Sequence, residues 1–233
     1  MNHKGCSEQF TIATAFPESG GLVRGIIQSI LKGKIMENSM TGSAATQGGL
    51  PADSGPACMI RDATPDDIAQ IQQIYAHHVL SSTATFEVTP PTAAEMTERL
   101  QKVHDAGLPW LVAERDGRVV GYCYASPYRP RPAYRYTIED SVYLADGESG
   151  KGIGRALLTA LIERCEKGPW RQMIAVIAGT QNQSSIALHR NLGFAHVGTQ
   201  PDTGYKFGQW IDVVFMQRAL GPGGTTPPDE SAD

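Results

Sequence analysis

Between residues 59 and 220 the apolar positions fall into short runs of two periods. Residues 59–62 read as a strand. Thr64-Pro65-Asp66-Asp67 then joins a threonine cap, a proline at the first helical position and an acid three residues past the cap. That is a helix start, and Ile68, Ile71, Tyr75 and Val79 follow at helical spacing. Residues 81–91 form a loop, Thr92 and Glu95 repeat the capping pattern, and Met96, Leu100 and Val103 continue an apolar face towards Gly107. Residues 108–114 and 118–125 predict two strands about an Asp116-Gly117 hairpin turn. A proline-rich link, residues 126–135, leads to a β-branched and aromatic run of Tyr136, Ile138, Val142, Tyr143 and Leu144, with the composition of a buried strand. Four glycines come next, at 147, 150, 152 and 154. Ile153, Leu157, Leu158, Leu161, Ile162 and Cys165 then mark one face of a helix of about four turns. Residues 172–178 predict a strand, Asn182 caps a helix that stops at Gly193, and residues 195–199 and 210–218 supply the last two strands. The order β-α-α-β-β-β-α-β-α-β-β predicts an α/β protein, a mixed sheet with helices on both faces.

The flanks lack this patterning. Residues 1–58 hold only Phe10 and Phe16 among the aromatics, and Gly, Ser, Thr and Ala dominate from residue 38. A short amphipathic helix through Leu22, Ile26, Ile27, Ile30 and Leu31 is weakened by Gly20, Gly21 and Gly25. Three parts are expected: a disordered extension at 1–58, one folded domain at 59–220, and a disordered tail at 221–233 rich in Gly, Pro, Thr and acids.

Composition narrows the function. The 233 residues carry a formal net charge of −4, and 41% are hydrophobic, enough for one sizeable core. The charge gives no nucleic-acid footprint, since Arg129, Arg131 and Arg135 are few and local. Cys6, Cys58, Cys123 and Cys165 are scattered without ligand spacing and read as reduced thiols of a cytoplasmic protein, Cys123 and Cys165 as core packing. No run reaches the roughly 18 apolar residues of a membrane span. His77, His78, His104 and His196 lack metal-ligand company, so no metal is expected.

The glycines between strand and helix carry the first hint of chemistry. A helix start offers unpaired N–H groups and partial positive charge, a natural phosphate site. It is not a P-loop, because Gly152 follows Lys151, nor a dinucleotide fingerprint, because Leu157 stands where the third glycine would be. Glu139 sits in the strand just before the turn, and Asp140 falls on the opposite face by alternation, where it reads as structural. The segment at residues 182–194, NQSSIALHRNLGF, follows the next strand.

Taken together, G-x-G-I-G-R-A-L after E-x-S-V-Y-L, with N-x-x-S-I-x-L-H-x-x-L-G-F downstream, resembles the GNAT superfamily of acetyl-CoA-dependent N-acetyltransferases. Within it the chain is similar to the group acting on phosphinothricin, methionine sulfone and methionine sulfoximine. The resemblance spans about residues 59–220 and implies the GNAT fold, with a mostly antiparallel mixed sheet. It implies an acetyl-CoA co-substrate, a small-molecule amine acceptor and a homodimer, to which the apolar FGQWIDVVFM segment would contribute. Val142, Tyr143 and Leu144 would meet pantetheine through their backbone. Gly150, Lys151, Gly152, Ile153, Gly154 and Arg155 would cradle the pyrophosphate, and Asn182 would reach the cofactor as well as capping its helix. Glu139 would take the amine proton, and His189 would bind or protonate the departing thiol. Phe86, Arg129, Arg131 and Tyr134 would form the acceptor pocket, the arginines matching an amino-acid carboxylate. Ser149 departs from the family pattern, which has Arg or Gln there; Lys151 and Arg155 are placed to compensate.

Other readings stand beside this one. Glu139 reads equally as a strand-end carboxylate paired with Arg135 or another cation, and His189 as a helix-surface or cap histidine. The whole reads alternatively as a non-catalytic acyl-CoA-binding module, which Ser149 favours, or as a peptide or protein N-acetyltransferase on the same fold.

Overall fold

The computed structural model describes residues 58–228. All but the last residue of the expected N-terminal extension, and residues 229–233, lie outside that range. Strands β1 (Met59–Asp62), β2 (Trp110–Arg115), β3 (Arg118–Pro127), β4 (Thr137–Leu144), β5 (Gln172–Ala178), β6 (Ala195–Lys206) and β7 (Gln209–Ala219) form one seven-stranded sheet, ordered β1-β2-β3-β4-β5-β7-β6. Among the described strands only β4 and β5 pair in parallel. Helices α1 (Ile68–Ser81), α2 (Ala93–Asp105), α3 (Ile153–Cys165) and α4 (Gln183–Asn191) complete the predicted order.

Local chemistry sets the helix starts. Before α1, a 3-10 turn at Pro65–Asp67 closes on itself as the Thr64 N–H donates to the Asp67 carboxylate at 2.8 Å. Arg61 grips the same carboxylate with two bonds of 2.7 Å and, as the main cause, holds its pKa down to about 2. At α2, Thr92 and Glu95 cap each other, N–H to side chain, at 2.6 and 3.2 Å.

The two faces of β3 and β4 receive different helices. Tyr75 of α1 meets Tyr143 of β4 edge-on at 5.1 Å. On the other face the Cys123 thiol of β3 donates to the Leu157 carbonyl of α3 at 3.4 Å. Every apolar position read from the α3 periodicity is buried. Burial pushes the Cys123 and Cys165 thiols up, Cys165 to about 12, so both are packing groups rather than nucleophiles.

Several strand ends shift by one or two residues from expectation, and two boundaries differ by more. The strand expected at 195–199 continues to Lys206, because the turn-forming residues 200–204 make a register irregularity within β6 instead of ending it. The hairpin then turns at Phe207 and Gly208, with φ of 51° and 75°. From Gly221, expected as tail, the chain takes up turns and bends through residue 226, and Arg171 donates to the carbonyls of Gly223 and Pro227 at 3.4 and 2.9 Å.

Candidate active site

β4 and β5 pair only from Thr137 opposite Gln172 to Asp140 opposite Ala175. Beyond that point β4 runs on to Leu144 and β5 to Ala178 without pairing with each other, so facing backbone edges are left open. The gap widens into a cavity of about 410 Å3, walled by residues 140–144, residues 175–178, the glycine turn and the start of α4.

Glycine shapes the far wall. Gly150 and Gly152 both have φ of 79°, a left-handed conformation that a side chain would strain. Gly152 is the N-cap of α3 and offers no side chain to it. The first helical bond runs from Ala156 N–H to the Gly152 carbonyl at 3.0 Å, so the N–H groups of Ile153, Gly154 and Arg155 have no place in the helical ladder. Val142, Tyr143, Leu144, Gly150, Gly152, Gly154, Arg155 and Asn182 all line the cavity. The other two residues expected at the cofactor do not. Lys151 turns to Glu148 at 3.3 Å, and the Ile153 side chain is buried in the core. Ser149 is in the wall, close in sequence to Arg155, which leaves Arg155 as the compensating cation and Lys151 tied to its own acid. The Asn182 side-chain oxygen Oδ1 accepts from Ser185 N–H at 3.3 Å, which is the helix cap.

Glu139 lies one residue before the strands part, on the face opposite Asp140. Among the described residues no hydrogen bond or ion pair of its carboxylate is found; Arg135 stacks on Tyr136, 4.5 Å from the ring centroid. Desolvation by burial, then the neighbouring Asp140 charge, push the Glu139 pKa to about 7 against the opposing pull of Arg129.

His189 is not at the surface. It is 1% exposed, with Nδ1 2.7 Å from the Ser185 carbonyl and Nε2 3.0 Å from Asp140 Oδ2. Both ring nitrogens are therefore engaged. Burial works against the charged ring, but the Asp140 bond and charge and the Ser185 carbonyl outweigh it and raise the pKa. Asp140 is thus a member of the site that sequence reasoning set aside, and its Oδ1 is buried without a hydrogen-bond partner among the described residues. The signal was the second acid of Glu139-Asp140, which alternation had to send to the helix-covered face.

The expected acceptor residues separate. Arg129 and Tyr134 share a second cavity of about 360 Å3 with Tyr128, Thr137 and Ile174, and Arg129 lies 5.0 Å over the Tyr128 ring. Ile174 is the β5 partner of Glu139 and the Arg129 charge reaches its carboxylate, but Glu139 itself lines neither cavity. Arg131 is exposed and lines neither cavity. Phe86 lies elsewhere, its ring against the bare backbone of Gly204, where an added Cβ would come within 2.5 Å. His78 and Ala84, which the sequence did not mark for the site, line the first cavity. His78 donates Nε2–H to the Leu144 carbonyl at 2.8 Å, and burial keeps its pKa below the usual 6.5.

Residues 60–215 match the Acetyltransferase (GNAT) domain. The chain belongs to the GNAT acetyltransferase family. A phosphinothricin N-acetyltransferase of Alcaligenes faecalis is 54% identical over 173 residues, covering 74% of this chain and 88% of that protein. An L-methionine sulfoximine/L-methionine sulfone acetyltransferase of Pseudomonas aeruginosa is 41% identical over 169 residues, covering 72% and 98%. Among solved structures, a GNAT superfamily phosphinothricin acetyltransferase from Sinorhizobium meliloti in complex with AcCoA superposes with a TM-score of 0.72. It is 49% identical and covers 74% of this chain and 94% of that one. The seven-stranded mixed sheet is therefore the GNAT fold, and this chain is a GNAT-family N-acetyltransferase.

Proposed function

We propose that this acetyltransferase moves the acetyl group of acetyl-CoA to the amino group of a small amino-acid-like acceptor. The acceptor is of the phosphinothricin or methionine sulfone/sulfoximine type, and the amine attacks the thioester directly. The observation that carries this reading is the state of Glu139, a carboxyl without a hydrogen bond or ion pair among the described residues and with a pKa of about 7, where β4 and β5 part. An amine is mostly protonated at neutral pH, and a carboxylate with a matched pKa is the group to relieve it of its proton.

The open edge of β4 at Val142, Tyr143 and Leu144 supplies backbone partners for an extended pantetheine, and the α3 start with Arg155 supplies N–H groups and charge for pyrophosphate. Gly150, Lys151 and Ile153 would contribute backbone N–H groups alone, and Asn182 its amide. The bound co-substrate brings an acetyl thioester into the gap. His189, its pKa raised, holds a proton in the cavity wall. We assign that proton to the departing thiolate, with the bond to Asp140 breaking as it leaves. Arg129 and Tyr134 beside Glu139 suit the acceptor's carboxylate. Arg131 and Phe86, which line neither cavity, are carried into the acceptor set by the family resemblance alone.

We further propose a cytoplasmic homodimer. Its interface would include the β6–β7 hairpin tip, where Tyr205, Phe207 and Trp210 are 60%, 56% and 62% exposed. Residues 1–58 are proposed as an extension outside the catalytic domain. The test of function is thiol release from acetyl-CoA across amino acids, methionine sulfone, methionine sulfoximine, phosphinothricin and polyamines. Turnover confined to the first four kinds supports this reading. Binding of acetyl-CoA with no turnover of any amine would favour a non-catalytic module instead.

A further inference from the structure

Lys206 is a charged side chain in an unusual place. It ends β6 at 4% exposure, and its ammonium donates to two backbone carbonyls, Ser82 and Thr85, both at 2.8 Å. The Phe207 ring lies 4.9 Å from the same nitrogen. Burying an ammonium is costly unless its protons are taken up, and an apolar side chain of similar volume would serve packing as well. What the ammonium adds is direction, since it fixes where two particular carbonyls sit.

Those carbonyls bracket Ala84, which lines the cavity between β4 and β5, and that of Thr85 immediately precedes Phe86. Phe86 is held from the same hairpin, with its ring on Gly204, two residues before Lys206. Ser82 is itself the C-cap of α1 and lies 3.4 Å from His78 Nδ1, while His78 Nε2 holds the Leu144 carbonyl at the open edge of β4. The hairpin tip is thus wired through residues 82–86 to the wall of the site.

We propose that Lys206 is a positioning residue of the acceptor pocket: it sets the conformation of residues 82–86, and so the places of Ala84 and Phe86, without touching substrate. This rests on the assignment of Phe86 to the acceptor pocket made above. Gly204 is the second half of the device, because only a residue without Cβ lets the Phe86 ring settle on the hairpin.

The test compares Phe86→Ala, Lys206→Met and Gly204→Ala in the full chain, with L-methionine sulfone and phosphinothricin as acceptors. Each variant's KM for acceptor, KM for acetyl-CoA and kcat are measured, with melting temperature as a check of folding. Lys206→Met and Gly204→Ala are expected to raise acceptor KM about tenfold while leaving acetyl-CoA KM within about twofold, a split that general loosening would not give. Gly204→Ala keeps every charge and displaces only the ring, so it decides the matter if Lys206→Met folds poorly. A rise in acceptor KM for Phe86→Ala with none for a folded Lys206→Met or for Gly204→Ala overturns the inference alone. An unchanged acceptor KM for Phe86→Ala overturns the Phe86 assignment, and the inference with it.

Discussion

Asp140 Oδ2 lies 3.0 Å from His189 Nε2, and the side chains of both residues are almost wholly buried. The Ser185 carbonyl, 2.7 Å away, can only accept, so Nδ1 carries a hydrogen. With Nε2 protonated as well, which the raised His189 pKa favours, the imidazolium charge offsets that of the Asp140 carboxylate, which is what allows the pair to sit between α4 and the sheet.

Removing one partner should therefore cost more than removing a surface pair. His189→Ala leaves a buried carboxylate alone and is expected to lower unfolding free energy by about 3 kcal/mol, read by urea denaturation. Asp140→Asn should fall in the same direction. The pH dependence has a defined sign. The His189 pKa is raised above its ordinary 6.5, so the contribution is fully present below that value and fades as pH climbs through the folded-state pKa. Stability of wild type relative to His189→Ala that grows with pH above neutrality would contradict the charged pair.

A second prediction concerns the helix start. A Cβ at Gly154 would meet Leu188 and Leu144 at 3.5 and 3.7 Å, ordinary contact distances. Gly154→Ala should fold normally, whereas Gly154→Glu puts a negative charge into the cavity wall at the α3 N-terminus. Acetyl-CoA should raise the melting temperature of wild type by mass action, and of Gly154→Ala partly. It should leave Gly154→Glu unmoved. Full thermal protection of Gly154→Glu would remove pyrophosphate from this place.

Much of the fold was legible because period and capping agree here. Thr64 and Thr92 announced their helices, and the α3 stripe reported its buried face directly. What was not legible depended on residues far apart in sequence. Lys206 reads as an exposed hairpin lysine until the carbonyls of Ser82 and Thr85 are brought to it. The Asp140–His189 pair needs β5 to lie parallel beside β4, so that α4, which follows β5, brings His189 to Asp140. Pro201, Asp202 and Gly204 looked like the end of a strand, because local turn chemistry cannot show that the strand resumes beyond an irregularity.

Ser149 offers a test by gain. It lines the cavity where the family pattern has Arg or Gln, and the nearby Lys151 is committed to Glu148. Ser149→Arg is expected to tighten acetyl-CoA binding by about fivefold at low salt, with the gain shrinking as ionic strength rises. Isothermal titration at two salt concentrations measures it; a gain unaffected by salt would mean that the new side chain acts by packing.

The last prediction turns on the displaced pKa of Glu139. In wild type kcat/KM should climb as pH passes through about 7, since only the ionised carboxylate accepts the amine proton. Glu139→Gln cannot accept it, and its kcat/KM at neutral pH should fall by about a hundredfold or more. The deficit should narrow at high pH, where free amine forms unaided, while acetyl-CoA affinity holds because the cofactor contacts assigned to β4 are backbone. Stability should move the other way. A carboxyl whose pKa is raised from 4.5 to about 7 binds protons more tightly folded than unfolded, so the wild type loses stability as pH rises across that interval. Glutamine has no charge to desolvate. The melting temperature of Glu139→Gln should therefore match wild type near pH 4 and exceed it at pH 8, a trade of stability for chemistry. A Gln variant that keeps wild-type rates at pH 7 would make the carboxylate structural. One that is slow but no more stable at pH 8 would mean that Glu139 is not desolvated, and that its basicity comes from the bound acceptor.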